Sequence, residues 1–159
     1  MKKSIAILVL VISASLSVNC SSSDDGGNNN EDTTFYLKCK INGVQFTSSD
    51  PMVINSLAKS ITAISDNNDT HQETVSLWLP LATTVGAHTI TEEPSNVDSY
   101  GASYSDFDAE ISTVNASGTM TVTEVNADVI KGTFSFTSPD SDGNTITVTE
   151  GTFRALNVE

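Results

Sequence analysis

The chain has 159 residues, 20 of them acidic and 7 of them lysine or arginine, so its formal net charge is −13 at pH 7. Bases this scarce cannot neutralise a run of phosphates, which argues against binding to nucleic acid or to anionic lipid. The acidic excess favours a solubility role for the surface. The length suits one domain with its own core once the N-terminal segment is set aside.

The first 20 residues, MKKSIAILVLVISASLSVNC, have the order of a secretory signal. Two lysines precede an apolar run over residues 5–12, which is too short to span a bilayer. Residues 16–20, LSVNC, resemble the lipobox of bacterial lipoproteins, in which the cysteine becomes the first residue of the mature chain and is acylated through its sulfur. The resemblance implies a signal peptide over residues 1–19 and lipidation of Cys20. Removing the signal deletes two lysines and no acid, which takes the net charge to −15.

Residues 21–32 contain Ser, Gly, Asn and acid and almost nothing apolar, which predicts a flexible polar tether before a folded domain over residues 33–159. Several acyl chains on Cys20 would give a stable membrane anchor, since each buried methylene contributes about 0.8 kcal/mol. The pattern CSSSDD resembles the acidic export signals of some Gram-negative lipoproteins. We therefore predict attachment to the outer membrane through Cys20, with the domain at the cell surface or, alternatively, facing the periplasm.

The folded part opens with FYLKCKI, residues 35–41, whose alternation directs Leu37 and Cys39 to the core and Tyr36 and Lys38 outward. Asn-Gly follows, which is the strongest short signal for a hairpin turn. Because lipidation would remove Cys20 as a partner, no intrachain disulfide is predicted and Cys39 is interpreted as a small buried apolar residue.

Two further strands are predicted at SITAIS, residues 60–65, and ETVSLWLPL, residues 73–81. In the second, Val75, Leu77, Leu79 and Leu81 share one face, which places Trp78 on the other. An outward tryptophan can stack on a sugar ring or anchor a protein partner. The alternative is that the run is buried on both faces beneath a loop. The outward Tyr36 is a second possible ligand contact.

GAHTI, residues 86–90, predicts a short strand, and the polar passage over residues 91–105 is the longest irregular segment. Binding residues concentrate on loops held by rigid scaffolds. Tyr100 and Tyr104, which lie in this passage, are therefore candidate contacts for a glycan or protein partner.

The acids of SDFDAEIS raise the possibility of catalysis. On a strand, Asp106, Asp108 and Glu110 would share one face at intervals of about 6.7 Å. Such a group could form half of a glycosidase pair or a calcium site, although a solvated sheet face is the plainer interpretation. Neither His71 nor His88 lies in the residue pattern of a catalytic triad or of a zinc site, and the sequence contains no complete calcium-binding loop. No catalytic residue, metal or cofactor is predicted.

The C-terminal third is the most regular part of the chain. SGTMTVTEV, KGTFSFTS and EGTFRALNV each place an apolar residue after Gly-Thr, at Gly118, Gly132 and Gly151, and TITVTE lies between the last two. These segments predict an antiparallel meander in which each glycine marks a turn exit or a bulge. The predicted core side consists of Met120, Val122, Phe134, Phe136, Ile146, Val148 and Phe153.

About ten short strands predict an all-β domain, either a single antiparallel β-sandwich, which we favour, or a flattened, partly closed barrel. The segments INGVQF, SGTMTVTE, IKGTFSFTS and VTEGTF resemble a family of small bacterial lipoproteins of unknown function, over most of residues 35–158. The resemblance carries no established activity and no catalytic residues.

Three functions remain open on the sequence. The leading prediction is a non-catalytic, monomeric, lipid-anchored β-domain that binds a partner at the cell surface. The second is a small hydrolase that uses the three acids of SDFDAEIS. The third is a carrier of a small apolar ligand in a closed barrel, which a core filled by phenylalanine would exclude.

Overall fold

The all-β prediction is confirmed by a computed structural model of the chain, which describes residues 34–66, 72–91 and 97–158. Those residues form eleven strands and no helix. All of them belong to the second of the two units into which the chain divides, Met1–Glu31 and Asp32–Glu159.

Four sequence predictions fall outside the described residues and stay predictions. They concern the signal peptide over residues 1–19, the lipidation site Cys20, the tether over residues 21–32, and His71. Within the described part, no helix is long and apolar enough to cross a membrane.

The strands form two antiparallel sheets. In chain order they are β1 (Tyr36–Ile41), β2 (Val44–Ser48), β3 (Met52–Asn55), β4 (Lys59–Ile64), β5 (Glu73–Leu79), β6 (Gly86–Ile90), β7 (Gly101–Asp106), β8 (Ile111–Ser112), β9 (Ser117–Val125), β10 (Val129–Pro139) and β11 (Thr145–Leu156). One sheet has six strands in the order β2-β1-β11-β10-β9-β6, and the other has five in the order β3-β4-β5-β7-β8. The favoured sandwich is therefore confirmed, and the sheets do not close into a barrel.

The core lies between the two sheets and is built from alternate residues of their strands. All seven residues predicted for the core side of the C-terminal strands are buried, and so are Leu37 and Cys39 of β1. Three phenylalanine rings fill the interior. The centroid of the Phe134 ring lies 6.3 Å from that of Phe136 and 6.3 Å from that of Phe153. The carrier prediction, which required a closed barrel with room inside, is wrong.

The three Gly-Thr segments are explained by cross-strand pairing. Each glycine lies inside a strand, directly opposite a phenylalanine of the next strand. None stands at a turn exit, but Gly132 and Gly151 lie at register shifts, which agrees with the predicted bulges. The pairs are Gly118 with Phe136, Gly132 with Phe153, and Gly151 with Phe134. A Cβ at Gly132 or Gly151 would lie 2.7 Å from atoms of the opposing ring, so glycine is the residue that lets the ring cross the neighbouring backbone.

One predicted strand boundary is wrong in an informative way. TITVTE and EGTFRALNV belong to the single strand β11, in which Glu150 adopts a left-handed φ of 52° and the register with both neighbouring strands shifts. This irregularity is the bulge that the sequence predicted near Gly151. Lys40 of β1 forms an ion pair with the outward Glu150 at 2.8 Å.

The predicted Asn-Gly hairpin is confirmed, and a second hairpin joins β10 to β11. Asn42 and Gly43 have φ of 48° and 84°, as the tight turn between β1 and β2 requires, and the Asn42 side chain accepts the Thr147 N–H of β11 at 2.9 Å. At the other hairpin, the Asp140 carboxylate accepts hydrogen bonds from the Asn144 side chain and from backbone N–H groups of the turn. These bonds, the one from the Asn144 side chain first, lower the pKa of Asp140.

Candidate functional site

The outer face of the five-stranded sheet carries the predicted tryptophan. Strand registers arrange its residues in three rows, each running across neighbouring strands. We call this surface the tryptophan face; its rows are Ile54-Ser60-Trp78-Gly101, Met52-Thr62-Ser76-Ser103 and Ile64-Thr74-Ser105-Ser112.

The outward direction of Trp78 is confirmed by the burial of its neighbours. Val75, Leu77 and Leu79 are fully buried on the core side of β5, whereas Trp78 is half-buried on the opposite side. Gly101 stands directly opposite it on β7 and is itself buried although it lies on the outer face. Because glycine has no side chain, β7 places no side chain opposite Trp78 in this row. The predicted run ends early, since Pro80 follows β5 and Leu81 is 49% exposed.

The part of the tryptophan face beside the indole carries serine and threonine hydroxyl groups. The Ser60 and Thr62 hydroxyls are 3.4 Å apart, and those of Thr62 and Ser76 are 3.3 Å apart, so the serines and threonines form a hydrogen-bonded row. Met52 and Ile54 add exposed apolar groups at the β3 edge. None of the described residues on the tryptophan face is charged.

A cavity of about 600 Å³ opens at the far end of the same face. Thr74, Ser105 and Ser112 belong both to the tryptophan face and to the cavity lining, so the two surfaces are continuous. Phe107 stands at the cavity with 79% of its surface exposed. The remaining lining residues are Gln72, Asp106, Glu110 and Ile111.

The acidic segment does not form the strand that the sequence predicted. Strand β7 ends at Asp106, residues 107–110 form a turn, and Glu110 has a left-handed φ of 55°. The Asp106 carboxylate accepts the N–H groups of Asp108 and Ala109 at 3.1 and 3.0 Å, which is the chemistry of a turn cap. The Asp108 carboxylate accepts the backbone N–H of Gln72 at 2.9 Å.

The arrangement of acids on which the hydrolase prediction depended is therefore not present. Asp106 and Glu110 line the cavity, while Asp108 does not, and the expectation of three carboxylates on one strand face is wrong. Asp106 is 4% exposed and is held by the turn, an arrangement that suits a structural role.

Two predicted contact residues are buried. Tyr104 lies inside β7 and is 4% exposed, and Tyr100 just before that strand is 8% exposed, so the prediction that they stand on an exposed irregular loop is wrong. The Tyr104 hydroxyl donates to a carboxylate oxygen of Glu73 at 2.8 Å. Burial, followed by this hydrogen bond, raises the pKa of Tyr104. Tyr100 stacks on the His88 ring with centroids 3.9 Å apart, which gives His88 a packing role.

Tyr36 faces outward as predicted, but it does so on the other sheet. Its ring lies 5.2 Å from the Lys38 ammonium on the outer face of the six-stranded sheet. The structure therefore does not bring Trp78 and Tyr36 into one site. The binding role of each candidate stays a prediction.

Comparison with known proteins gives one result. The family described as Domain of unknown function (DUF6252) matches residues 33–157. The chain belongs to this family. No curated protein and no solved structure matches the chain.

The DUF6252 domain contains residues at the cavity that sequence reasoning missed. Phe107, which alternates with the three acids, was assigned no role from the sequence, and Gln72 had no pattern at all. The signal that pointed to Phe107 was the Asp-x-Asp spacing around it, because an aspartate followed two residues later by another commonly opens a turn. Among the described residues of the DUF6252 domain, no group of three or more His, Cys, Asp or Glu side chains is placed to hold a metal ion.

Cys39 of the DUF6252 domain is buried, as predicted, with 1% of its surface exposed. Burial, followed by the negative charge of Glu73, raises the pKa of the Cys39 thiol to about 12 from an ordinary value of 9.0. The folded state thus favours the protonated thiol. Its contribution to stability is fully present below pH 9 and is lost as the pH rises towards 12, and a difference of this size corresponds to about 4 kcal/mol.

We expect the free energy of unfolding to fall more steeply between pH 9 and pH 12 in the parent protein than in a Cys39→Ala variant. Urea unfolding at a series of pH values, followed by fluorescence, measures both slopes. Tyr104 ionisation contributes to both slopes, so the difference between them reports the thiol together with its weaker charge interaction with Tyr104. Parallel slopes would contradict the expectation.

Proposed function

We propose that this protein is a lipid-anchored cell-envelope protein whose domain binds an uncharged glycan on the tryptophan face without transforming it chemically. The observation that carries the proposal is the half-buried, outward Trp78 on a sheet face made of hydroxyls and apolar groups. The proposed anchor is the acylated Cys20, and the proposed location is the cell surface of the outer membrane.

The chemistry of the face matches an uncharged sugar chain. A sugar ring has an apolar side that packs on an indole, and its hydroxyls pair with serine and threonine hydroxyls. Trp78 is half-buried, so its side chain is already restricted and less conformational entropy is lost on binding than for a fully exposed residue. The cavity extends this surface and adds the exposed Phe107 as a second stacking group.

Charge favours a neutral ligand over an acidic one. The chain carries a net charge of −13, and none of it resides on the described tryptophan face. An anionic polymer would meet the repulsive field of the whole protein without a local base to offset it. A neutral glycan pays no such penalty.

A binding role without catalysis is supported by the hydrogen bonds that Asp106 and Asp108 make. Asp106 and Asp108 accept backbone N–H groups of the turn and of Gln72, so their carboxylates already serve the fold. A retaining or inverting glycosidase needs two carboxylates facing one bond from opposite sides. Only Asp106 and Glu110 reach the cavity, and both come from the same turn.

The proposal is tested with the intact protein in mild detergent and gels that contain dextran, hydroxyethyl cellulose or arabinoxylan. We expect at least one of these neutral polysaccharides to retard the protein. We also expect a blue shift of fluorescence, since Trp78 is the one tryptophan of the chain. Trp78→Ala is expected to weaken binding roughly thirtyfold, the equivalent of about 2 kcal/mol for a central aromatic contact.

Thr133→Ala, an exposed change on the other sheet, is the matched control and should bind as the parent does. The proposal fails if no neutral glycan changes mobility or fluorescence, or if Trp78→Ala binds as tightly as the parent. Release of reducing ends that Asp106→Asn or Glu110→Gln abolishes would instead establish the hydrolase.

A further inference from the structure

Four of the five bases that the structure describes lie together on the outer face of the six-stranded sheet. Lys38 and Lys40 project from β1, Arg154 from β11 and Lys131 from β10, and these three strands are neighbours. Arg154 stands directly opposite Lys131. The fifth base is buried on β4. We call this surface, defined by these four bases, the cationic face. Arg154 points to this face by its register, but only 9% of its surface is exposed.

The cationic face keeps a surplus of positive charge. Lys131 is paired with Glu124 at 2.6 Å, and Lys40 is paired with Glu150 at 2.8 Å. Two bases therefore exceed the acids on this face. The other described acids lie in turns or on the five-stranded sheet. The charge of the domain is thus separated across the sandwich, with its positive part on one side.

The chain joins the domain at this same face. The Arg154 guanidinium donates to the Thr34 carbonyl oxygen at 3.1 Å and lies 5.6 Å from the centre of the Phe35 ring. Strand β1 begins at the next residue, Tyr36. The segment that leads to Cys20 therefore leaves the domain beside the positive charges.

We propose that the cationic face rests on the anionic headgroups of the membrane that holds the lipid anchor, so that the tryptophan face points away from the membrane. The inference rests on the proposed acylation of Cys20 and concerns the orientation that follows from it. Lys38 and Tyr36 form the lysine and tyrosine pairing that suits a headgroup region, and the exposed hydroxyl of Thr133 lies on the same face. The two sheets lie on opposite sides of the core, so contact through one leaves the other open to its ligand.

A free protein with a net charge of −13 is repelled by an anionic lipid surface. An anchored domain is already confined at the surface, so the bases need only select one orientation. Each lysine or arginine near an anionic surface favours contact roughly fivefold, so the exposed Lys38 supplies a factor of about five. The acids on the far side oppose the inverted orientation.

The orientation is measured on the full acylated protein in vesicles. Thr133→Cys on the cationic face and Met52→Cys on the tryptophan face are labelled with a fluorophore, one site at a time, because Cys39 is buried and Cys20 is acylated. The vesicles contain phosphatidylcholine with a headgroup spin label, with or without phosphatidylglycerol. In anionic vesicles we expect the label at residue 133 to be quenched several times more than the label at residue 52, and high salt should remove the difference.

Lys38→Gln should reduce the quenching ratio roughly fivefold, since it removes one positive charge from the cationic face. Gln72→Glu makes the same change in net charge at the cavity and should leave the ratio unaltered. Retention on the vesicles with equal quenching at both sites overturns the orientation alone. Failure of the chain to be retained overturns the anchor and the orientation together. Equal quenching combined with binding to soluble polygalacturonate that depends on Lys38 would assign the cationic face to an acidic glycan.

Discussion

Replacing Gly118 with alanine is expected to lower the free energy of unfolding by about 3 kcal/mol or more. A Cβ at this position would lie 2.1 Å from the Ser135 carbonyl oxygen and 2.6 Å from the Phe136 Cα, both of which belong to the backbone of β10. Backbone atoms cannot rotate away as a side chain does, so β9 and β10 would have to separate. Those strands lie at the centre of the meander, where a shift disturbs the packing of Phe136 in the core.

Urea unfolding of the protein in mild detergent, followed by Trp78 fluorescence, measures this loss. Gly143→Ala is the matched control, because Gly143 has a φ of +83° and nothing within 4 Å of the added methyl group. That change should cost about 1 to 2 kcal/mol from backbone conformation alone. If Gly118→Ala proves no more destabilising than Gly143→Ala, the close approach of β9 to β10 is not what requires glycine.

Replacing Cys20 with alanine is expected to transfer the protein from the membrane fraction to the soluble fraction. Acylation requires the cysteine sulfur, and without acyl chains the attraction proposed for the cationic face is too weak to retain the protein. Each lost methylene removes about 0.8 kcal/mol of membrane affinity, so the loss of several chains amounts to complete release. The measurement is incorporation of radiolabelled palmitate together with fractionation of the cell envelope.

Cys39→Ala serves as the control for the lipid label, since Cys39 is buried and has no access to acyl transfer. It should keep both the palmitate and the membrane location. Palmitate that persists on the Cys20→Ala variant would refute the lipobox interpretation, and the proposed orientation would lose its basis with it.

Much of the fold was predictable from local patterns. The alternation of threonine with apolar residues in β9 and β10 identified the core side, because successive side chains of a strand point to opposite faces. Asn42 and Gly43 predicted their hairpin because that turn requires positive φ at two consecutive positions, which few residue pairs accept. Each of these inferences depends on residues only a few positions apart.

The failures arose where local chemistry competed with alternation. Asp106 and Glu110 were predicted to lie on one strand. The Asp106 carboxylate instead accepts the backbone N–H groups two and three residues later, and this stabilises a turn. Tyr104 lies in a polar stretch that reads as a loop, but its neighbours pair with β5 and its ring enters the core. A polar sequence forms a strand when the partner strand supplies the hydrogen bonds and the opposite sheet supplies the cover.

The sequence by itself determined the fold class, the tight turns, the core side of the C-terminal strands and the side of its strand on which Trp78 lies, but not whether that side is covered. Only the tertiary structure decided which outward residues meet. Strand order and register join residues far apart in the chain, so alternation gives the face of each strand but not its neighbours. That is why Trp78 and Tyr36 lie on opposite sides of the sandwich, and why Lys38, Lys131 and Arg154, scattered along the chain, form one cationic face.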